Sequence, residues 1–549
     1  MGVMLVTSQT RGFIDAHRHE NVRDLALKAK REDGLDLPFA LDQIAGWQTA
    51  RTKLPQWAAS DGIIYPPHLS MEQCSSQFTA QYKARVARRI VDAYLASAAS
   101  VATDAEVAAT SANPATIAAT DSTAATTASV ESSAYDMPAS SDDGTTLVDL
   151  TGGFGVDFSY LARGFDQATY VERQPHLCAI AEHNLHALDL THTTVVNADA
   201  ETWLADGGTA TMIFVDPARR DDHGGRTVAI ADCTPDVLAL ADRLFAAAPL
   251  VMVKLSPMLD WRKTVADFGG AVGEVHIVST GNECKELLLV LDRRRTAGAT
   301  AGATAGLPTG GSAAGATDVA AGVAVGPPAD GSAAGAAVGS MTAVAGEDLP
   351  VRVVCVNDDD ELAYDYDPSS PSVDRMVGTM AAGLLADGWY DLADADADAD
   401  ADATDAAVDS DDAAGDVRDA ESGARYLYEP NTSIMKAGCF ALIEERYPMR
   451  QVGPNSHLFV SERRVDGFPG RAFAVEAVGG LGKKEVKSLL AGATKANVAV
   501  RNFPMSVAQL RKKLRLGDGG DIYLFATTFA GSRRVLIRTR RLLATRSDG

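Results

Sequence analysis

The chain has 549 residues, of which 46% are hydrophobic and 22% charged, and its formal net charge is −23. At roughly 100–200 residues per domain, this length predicts two to four domains with real apolar cores. The acidic excess lies entirely in three segments: 97–144 has seven acids and no base, 299–348 has four acids, and 391–421 has thirteen acids and one base. Because the rest of the chain is neutral, the net charge does not exclude nucleic acid as a partner.

The cysteines and the hydropathy pattern indicate a reduced, cytoplasmic protein. Six cysteines are scattered without a C-x-x-C pair, and the ten histidines show no metal-ligand spacing, so we expect neither a disulfide framework nor a metal site. The first thirty residues are too polar for a signal peptide. No run of about 18 apolar residues occurs, so we expect no membrane segment.

Three stretches of low complexity divide the chain. Residues 97–144 are rich in Ala, Ser and Thr, residues 293–349 repeat Gly, Ala and Thr, and the acidic stretch 391–421 contains five Ala-Asp repeats. Such compositions bury too little apolar surface to offset the loss of chain entropy. We interpret all three as insertions in surface loops, since the entropy of loop closure grows slowly with length.

The remaining sequence falls into four parts. Residues 1–96 have a helical pattern, in which Ser70-Met71-Glu72-Gln73 reads as a capping box that opens a helix ending near Leu95. Residues 145–292 alternate β-rich runs with helical stretches, which is typical of a wound parallel sheet. Residues 350–460 read as a linker region that contains the acidic insertion, and 461–549 as a compact α/β module.

Seven strands are predicted in 145–292, and the last two are close enough to form a hairpin. They are Thr146–Leu150, Thr169–Glu172, Thr193–Ala198, Thr211–Val215, Leu250–Leu255, Glu274–Thr280 and Glu286–Asp292. Seven strands ending in a hairpin fit a Rossmann-like sheet of the methyltransferase type better than a dinucleotide-binding sheet.

Polar residues mark the ends of the first four strands. The first strand ends at Asp149 and leads into a glycine-rich turn, Thr151-Gly152-Gly153-Phe154-Gly155. Glycine is needed where a backbone turns sharply and lies against a ligand. Glu172 ends the second strand where a ribose diol would lie, and Asp199 ends the third. Asp216 ends the fourth.

This arrangement resembles the class I S-adenosylmethionine-dependent methyltransferases. The resemblance implies an α/β fold and S-adenosylmethionine as cofactor. It also implies that Asp149, Thr151, Gly153 and Gly155 approach the methionine moiety, Glu172 the ribose hydroxyls and Asp199 the adenine. Thr151 stands where the family usually has a glycine.

Two features suggest catalytic groups. Asp216-Pro217-Ala218-Arg219 resembles the Asp-Pro-Pro-aromatic motif of amino-methylating enzymes, which implies that Asp216 and Pro217 align an exocyclic amine for methylation. The second proline and the aromatic are missing, and Arg219 and Arg220 are candidates to hold a phosphate or a base face instead. Lys254 lies in an apolar strand, where a lysine is costly to bury without a partner.

Two other chemistries stay open at this point. The order Lys83, Asp216, Lys254, Glu283 resembles the Lys-Asp-Lys-Glu set of ribose 2′-O-methyltransferases. Cys284 is a weaker candidate for a thiolate that attacks a pyrimidine carbon.

The C-terminal module is basic, in contrast to the acidic chain as a whole. Residues 461–549 hold eighteen bases and seven acids, and their pattern predicts alternating strands and helices. The predicted elements are strand Ala472–Val478, helix Lys483–Leu490, strand Asn497–Val500, helix Ser506–Leu514, and strands Ile522–Thr528 and Val535–Arg540. A basic module of this kind attracts phosphate backbones.

This module resembles the THUMP-like domain of a bacterial methyltransferase family, and Tyr426-Leu427-Tyr428-Glu429-Pro430-Asn431 resembles that family's linker motif. The sequence therefore predicts an enzyme that methylates a base nitrogen of RNA, with the helical N-terminal part over the cofactor pocket and RNA on the basic module. Ribose 2′-O-methylation and a catalytically inactive RNA-binding protein are the alternatives.

Overall fold

The computed structural model describes residues 6–29, 33–66, 68–111, 144–219, 230–296, 349–368, 425–453, 455–529 and 533–542. Within these ranges fifteen α-helices occur. They are α1 Ser8–His17, α2 Val22–Lys28, α3 Leu37–Lys53, α4 Pro55–Ala59, α5 His68–Gln73, α6 Gln77–Ser111, α7 Val156–Leu161, α8 Pro175–Ala187, α9 Ala200–Ala205, α10 Ala241–Ala247, α11 Trp261–Asp267, α12 Thr432–Ala437, α13 Phe440–Arg446, α14 Lys483–Leu489 and α15 Val507–Leu514.

The larger sheet contains nine strands. They are β1 Thr146–Asp149, β2 Gln167–Glu172, β3 Thr193–Asn197, β4 Met212–Val215, β7 Leu250–Leu255, β8 Val272–Thr280, β9 Glu283–Asp292, β10 Val351–Asn357 and β11 Asp360–Tyr366. Their order is β11-β10-β8-β9-β7-β4-β1-β2-β3. Strands β9 and β11 are antiparallel to their neighbours and the other pairs are parallel. The seven predicted strands and the terminal hairpin are therefore confirmed.

The region predicted as a linker, 350–460, contributes strands to both sheets. Strands β10 and β11 extend the first sheet, because alternating apolar residues of β10 pack on both of its faces: Val353 and Cys355 on one, Val354 and Val356 on the other. Strands β12 Tyr426–Pro430, β13 Arg450–Gln451 and β14 Phe459–Ser461 belong to the second sheet, so that sheet begins well before the predicted boundary at 461. The acidic insertion 391–421 lies outside the described residues.

The second sheet is completed by the basic module. Strands β15 Gly470–Gly479, β16 Asn497–Val500, β17 Ile522–Thr528 and β18 Arg534–Arg541 give the order β13-β14-β12-β15-β18-β17-β16. Every element predicted here is present within two residues of its expected ends. A short two-stranded ribbon, β5 Ala218–Arg219 with β6 Cys233–Thr234, stands apart from both sheets.

The two faces of the larger sheet are covered by different parts of the chain. The N-terminal helices pack on one face through Trp57, Val86 and Val91. The C-terminal part packs on the other through Tyr428, Ile434 and Ile443, which share one core with the strands. The α/β fold with a helical N-terminal part and a C-terminal α/β domain is thus confirmed.

The helix predicted from Ser70 to Leu95 is interrupted. Ser70 lies inside α5, which ends at Gln73, and α6 begins only at Gln77 and continues to Ser111, into the stretch predicted as an insertion from residue 97. Ser76 caps the new helix, because its Oγ accepts a hydrogen bond from the backbone amide of Thr79 at 3.2 Å. The interruption leaves Cys74 and Ser75 outside any helix and beside the sheet.

Candidate functional site

A pocket of about 400 Å³ opens at the carboxyl ends of β1, β2, β3, β4 and β7. Ligands of open α/β sheets bind at this edge. Seven of the predicted site residues line the pocket: Asp149, Thr151, Gly153, Glu172, Asp199, Asp216 and Lys254. The interruption between α5 and α6 supplies Gln73, Cys74 and Ser75, so the N-terminal helical part does cover this pocket.

The glycine-rich turn after β1 is held by close packing and by Tyr170. A Cβ on Gly152 would lie 2.2 Å from the buried ring of Tyr170, so only glycine fits there. Gly153 and Gly155 have φ of 53° and 74°, in the left-handed region that glycine adopts without strain. The Tyr170 hydroxyl donates a hydrogen bond to the carbonyl of Gly153. Gly155 caps α7 and is not among the lining residues.

Asp149 is a buried carboxyl at the base of this turn. Its Oδ1 accepts hydrogen bonds from the backbone amide of Thr151 at 2.9 Å and from the Thr151 hydroxyl at 3.3 Å. Burial outweighs these bonds and raises the pKa of Asp149 to about 8. The Thr151 hydroxyl in turn accepts a hydrogen bond from the amide of Asp216 at 2.6 Å. Thr151 thus connects the end of β1 to the end of β4.

Glu172 and Asp199 differ in their surroundings. Glu172 is buried, and its two oxygens accept hydrogen bonds from the amides of Gly153 at 3.1 Å and Gln174 at 2.9 Å. Asp199 is exposed and caps α9 by accepting from the amide of Thr202 at 2.7 Å. That hydrogen bond lowers the pKa of Asp199. Glu172 is therefore a fixed acceptor in the pocket, whereas Asp199 also has a structural role.

A cluster of five charged side chains extends from the pocket wall into the interior, and we call it the lysine–carboxylate cluster: Asp157, Asp216 and Lys254 line the pocket, and Lys83 and Glu286 lie behind them. Lys254 Nζ lies 2.6 Å from Asp216 Oδ2 and 3.4 Å from Asp157 Oδ2. Lys83 is fully buried, and its Nζ lies 2.7 Å from Glu286 Oε1 and 3.2 Å from Asp157 Oδ1. Ser75 Oγ donates to Asp157 at 2.8 Å.

Each shift in pKa within the cluster follows from its contacts. Burial alone would lower the pKa of Lys254, but the carboxylates of Asp216 and Asp157 raise it well above its usual range. Burial alone would raise the pKa of Asp157, but the two ammonium groups hold it below its ordinary value. Glu286 has a raised pKa because its burial outweighs the attraction of Lys83. Lys254 is therefore a cation at neutral pH.

The structure corrects the proposed Lys-Asp-Lys-Glu set at one position. Glu283 is exposed, and its Oε2 pairs with Lys285 Nζ at 2.7 Å rather than with a member of the cluster. Glu286 takes its place, because it lies in the buried part of β9, whereas Glu283 lies at the exposed first residue of the strand, beyond an irregularity in the pairing of β8 with β9. The sequence order alone could not choose between the two glutamates.

The other catalytic candidates from the sequence were Pro217, Arg219, Arg220 and Cys284. Pro217 is buried behind Asp216 and does not line the pocket. The Arg219 backbone pairs with Cys233 in the two-stranded ribbon, and Arg220 is outside the described residues. Cys284 does not line the pocket, and burial raises the pKa of its thiol. Cys284 is therefore not placed to act as a thiolate nucleophile in this pocket.

Sequence analysis missed several residues of the site. Asp157 is the acid that both lysines share, and its position in the first turn of the helix after the glycine-rich turn was the available signal. Thr234 and Pro235 line the pocket beside Ala218, which pairs with Thr234. No sequence signal connected them to Asp216.

Metal-binding clusters and membrane-spanning helices are both absent from the part of the chain that the structure describes. No group of three or more His, Cys, Asp or Glu side chains there is arranged to hold a metal ion. None of the described helices is long and apolar enough to cross a bilayer.

Three regions of the chain match known protein families, and the chain is also similar to solved structures. Residues 470–541 match the family described as THUMP domain-like, residues 426–469 a ferredoxin-like domain, and residues 114–228 a methyltransferase family described as conserved hypothetical protein 95. No curated protein matches the chain. A proposed methyltransferase from Porphyromonas gingivalis W83 is similar with a TM-score of 0.61 and 23% identity, over 97% of this chain and 98% of that chain.

Shorter similarities are weaker. An S-adenosylmethionine-dependent methyltransferase from Agrobacterium tumefaciens gives a TM-score of 0.22 at 16% identity, over 28% of this chain and 57% of that chain. A proposed rRNA methylase from Clostridium thermocellum gives 0.21 at 16% identity, over 27% of this chain and 88% of that chain. The predicted fold agrees with the similarity to the Porphyromonas gingivalis structure, and the chain has a methyltransferase fold with a C-terminal THUMP-like domain.

Proposed function

We propose that this protein is an S-adenosylmethionine-dependent methyltransferase that acts on a base nitrogen of RNA. The observation that carries the choice of acceptor is the contact between Lys254 Nζ and Asp216 Oδ2 at 2.6 Å in the pocket. RNA as the substrate is supported by the match of residues 470–541 to the THUMP-like family and by the excess of bases in 461–549.

The residues of the pocket fit the proposed cofactor. Its volume of about 400 Å³ lies within the range of roughly 300–1,000 Å³ for small-molecule sites. Glu172 is already held by two backbone amides, and a carboxylate has further lone pairs with which to accept ribose hydroxyls. Asp149 and Thr151 would face the methionine moiety, and Asp199 the adenine. The cofactor supplies a methyl group on a positively charged sulfur.

Asp216 is suited to accept a hydrogen bond from an amine. Its Oδ2 is occupied by Lys254, whereas Oδ1 accepts no hydrogen bond from any residue that the structure describes. An exocyclic NH2 that donates to Oδ1 would be held with its lone pair directed away from the carboxylate. Alignment of this kind accounts for much of the rate enhancement in such transfers. When the nitrogen takes the methyl group, the bond between that carbon and the sulfur would break and the sulfur would leave as a neutral thioether. Asp216 would stabilise the positive charge that develops on the amine, which would then give up one proton to water.

The charge of Lys254 at neutral pH argues against ribose 2′-O-methylation. A lysine that removes a proton from a hydroxyl must itself be neutral part of the time, and the raised pKa of Lys254 works against this. We assign Lys254 a positioning role, in which its charge keeps Asp216 ionised and fixed. The remaining alternative is a catalytically inactive RNA-binding protein. Such a protein need not bind S-adenosylmethionine, so a measurement of cofactor binding distinguishes it from the enzyme.

Identification of the product tests the proposal. RNA from a strain that lacks the protein should be missing one methylated nucleoside, which returns when purified protein and S-adenosylmethionine are added. A base-methylated nucleoside supports the proposal. A product that resists alkaline hydrolysis has a 2′-O-methyl group and would support the ribose alternative. Calorimetric titration that detects no cofactor binding would support the inactive alternative.

The Asp216→Asn variant tests the acceptor role separately. We expect its kcat to fall by about 100-fold or more, since an amide is a weaker acceptor for a developing charge. Its affinity for S-adenosylmethionine should stay within a few-fold of wild type. Glu283→Gln is the matched control, because that carboxylate is exposed and outside the pocket, and its kcat should not change. Equal activity of both variants and wild type would contradict the role of Asp216.

A further inference from the structure

The motif Tyr426-Leu427-Tyr428-Glu429-Pro430-Asn431 contains a buried carboxylate that is not used by the pocket. Glu429 has a side chain that is only 3% exposed, and it lies in β12 opposite Arg471 of β15. Its Oε2 accepts hydrogen bonds from Arg471 Nε, at 2.9 Å, and from Arg471 Nη2. Its Oε1 accepts from Arg501 Nη2 at 2.6 Å. One buried acid thus holds two arginines.

The two arginines keep donors available for a ligand. Each guanidinium carries five N–H donors, and the carboxylate uses only part of this set. Arg471 and Arg501 each remain 35% exposed, and Arg471 Nη1 has no partner within the described ranges. The group carries one net positive charge and its guanidinium planes are fixed, so a ligand that binds there does not have to order flexible side chains.

An aromatic pair lies beside Arg501. The rings of His457 and Phe440 stack with centroids 4.2 Å apart and planes 12° from parallel, and both side chains are partly exposed. Burial, together with the charge of Arg501, lowers the pKa of His457, which keeps the imidazole neutral at pH 7. Fixed cations next to aromatic rings are the combination that binds single-stranded nucleic acid.

The arginine pair is on the same side of the molecule as the pocket. Thr432, three residues after Glu429, donates to Asn282 in the turn between β8 and β9, at the carboxyl edge of the larger sheet. Lys436 Nζ donates to the carbonyl of Leu259 at 2.7 Å, five residues after Lys254. Three residues span at most about 10 Å, so Glu429 lies close to this edge.

We propose that Arg471 and Arg501, held by Glu429, bind a backbone phosphate of the RNA strand whose base enters the pocket. This inference rests on the proposed function, since it takes RNA as the substrate. It assigns the phosphate contact to two specific arginines out of the eighteen bases of 461–549. Glu429 itself does not touch the ligand and is a positioning residue.

The test uses the full-length protein and a labelled single-stranded RNA, with fluorescence anisotropy measured over a series of KCl concentrations. We expect Arg471→Gln and Arg501→Gln each to weaken binding by about tenfold at low salt. Each should also make the slope of log affinity against log salt shallower by about 0.7, the value for one lost contact to a single strand. A stabilising role alone would lower the unfolding temperature but leave this slope unchanged.

The matched control is Arg294→Gln. Arg294 is also held by a carboxylate, that of Asp292, and is similarly exposed. Asp292 lies opposite Leu250, at the end of the sheet away from the pocket. Affinity and slope of this variant should equal those of wild type. Arg501→Lys keeps the charge but not the planar guanidinium. We expect this variant to bind RNA several-fold more weakly and to have an unchanged unfolding temperature. It replaces the Gln variants in the test if those do not fold.

The outcomes separate the two proposals. If wild type binds no RNA, the proposed function is wrong and this inference with it. If wild type binds RNA and the arginine variants bind equally well with the same slope, only this inference is overturned. Inorganic phosphate at matched ionic strength should displace little RNA. Strong displacement that depends on Arg501 would assign the site to free phosphate instead.

Discussion

The protein contains two groups of buried ion pairs that use charge in opposite ways. In the lysine–carboxylate cluster, Lys83 is fully buried and Lys254 is only 15% exposed, whereas the carboxylate of Asp216 is 39% exposed. At Glu429 the carboxylate is buried and the arginines are partly exposed. In each group the buried partner fixes the exposed one. The first group therefore presents an acceptor and the second presents donors.

The difference also has a consequence for stability. A buried charge that loses its partner is strongly destabilising, whereas an exposed one is solvated by water. Removal of the buried member should therefore affect folding, and removal of the exposed member should mainly affect function. Variants at each position can separate these two effects.

The largest effect is expected for Lys83→Met. This variant leaves Glu286 and Asp157 buried without the ammonium group that contacts both. Loss of one partner from a buried pair costs about 3–5 kcal/mol, which chemical denaturation can measure. Lys263→Met removes a lysine from an exposed pair with Asp267 and should cost less than about 1 kcal/mol. Similar losses in both variants would show that the cluster is not a buried unit.

An effect of comparable size should appear in the pH dependence of stability. Burial raises the pKa of Asp149 from 3.8 to about 8, and the nearby carboxylates of Asp157 and Asp216 add to the shift. The folded state therefore binds a proton that the unfolded state has lost between these values. Stability should fall as pH rises from about 4 to 8, by at most about 1.4 kcal/mol per pH unit.

The Asp149→Asn variant isolates this contribution. Denaturation midpoints of wild type and variant, compared at several pH values, should diverge as pH rises, with the variant gaining relative stability. Binding of a cationic cofactor should also release a proton from Asp149 in wild type only, which titration in buffers of different ionisation enthalpy detects. Parallel pH profiles for the two proteins would contradict the raised pKa.

The smallest of the three effects is expected for Glu429→Gln. The amide can accept from one arginine, so we expect a loss of about 1–3 kcal/mol in unfolding free energy. Glu476 also holds two arginines, Arg538 and Arg540, but it is 27% exposed. Glu476→Gln should therefore cost less than about 1 kcal/mol. If the two variants are equally stable, burial of the carboxylate does not distinguish the two groups.

Local sequence patterns predicted the strands and the edge at which the pocket lies. The apolar runs that end at Asp149, Glu172 and Asp216 identify β1, β2 and β4, and parallel strands bring their carboxyl ends together. The basic module could be predicted for the same reason, because its helices and strands have regular periods. The strands of 351–366 were missed, since a low-complexity stretch separates them from the rest of the sheet.

The sequence by itself determined which acids stand at the strand ends and which residues can form the turn beside them, because those properties depend on neighbours in the chain. Only the tertiary structure decided which charges are paired. Lys83 meets Glu286 across 203 residues, and Glu429 meets Arg501 across 72. Glu286 rather than Glu283 joins the cluster because Glu286 lies in the buried part of β9 and Glu283 at its exposed end, and burial determines whether a charge must find a partner.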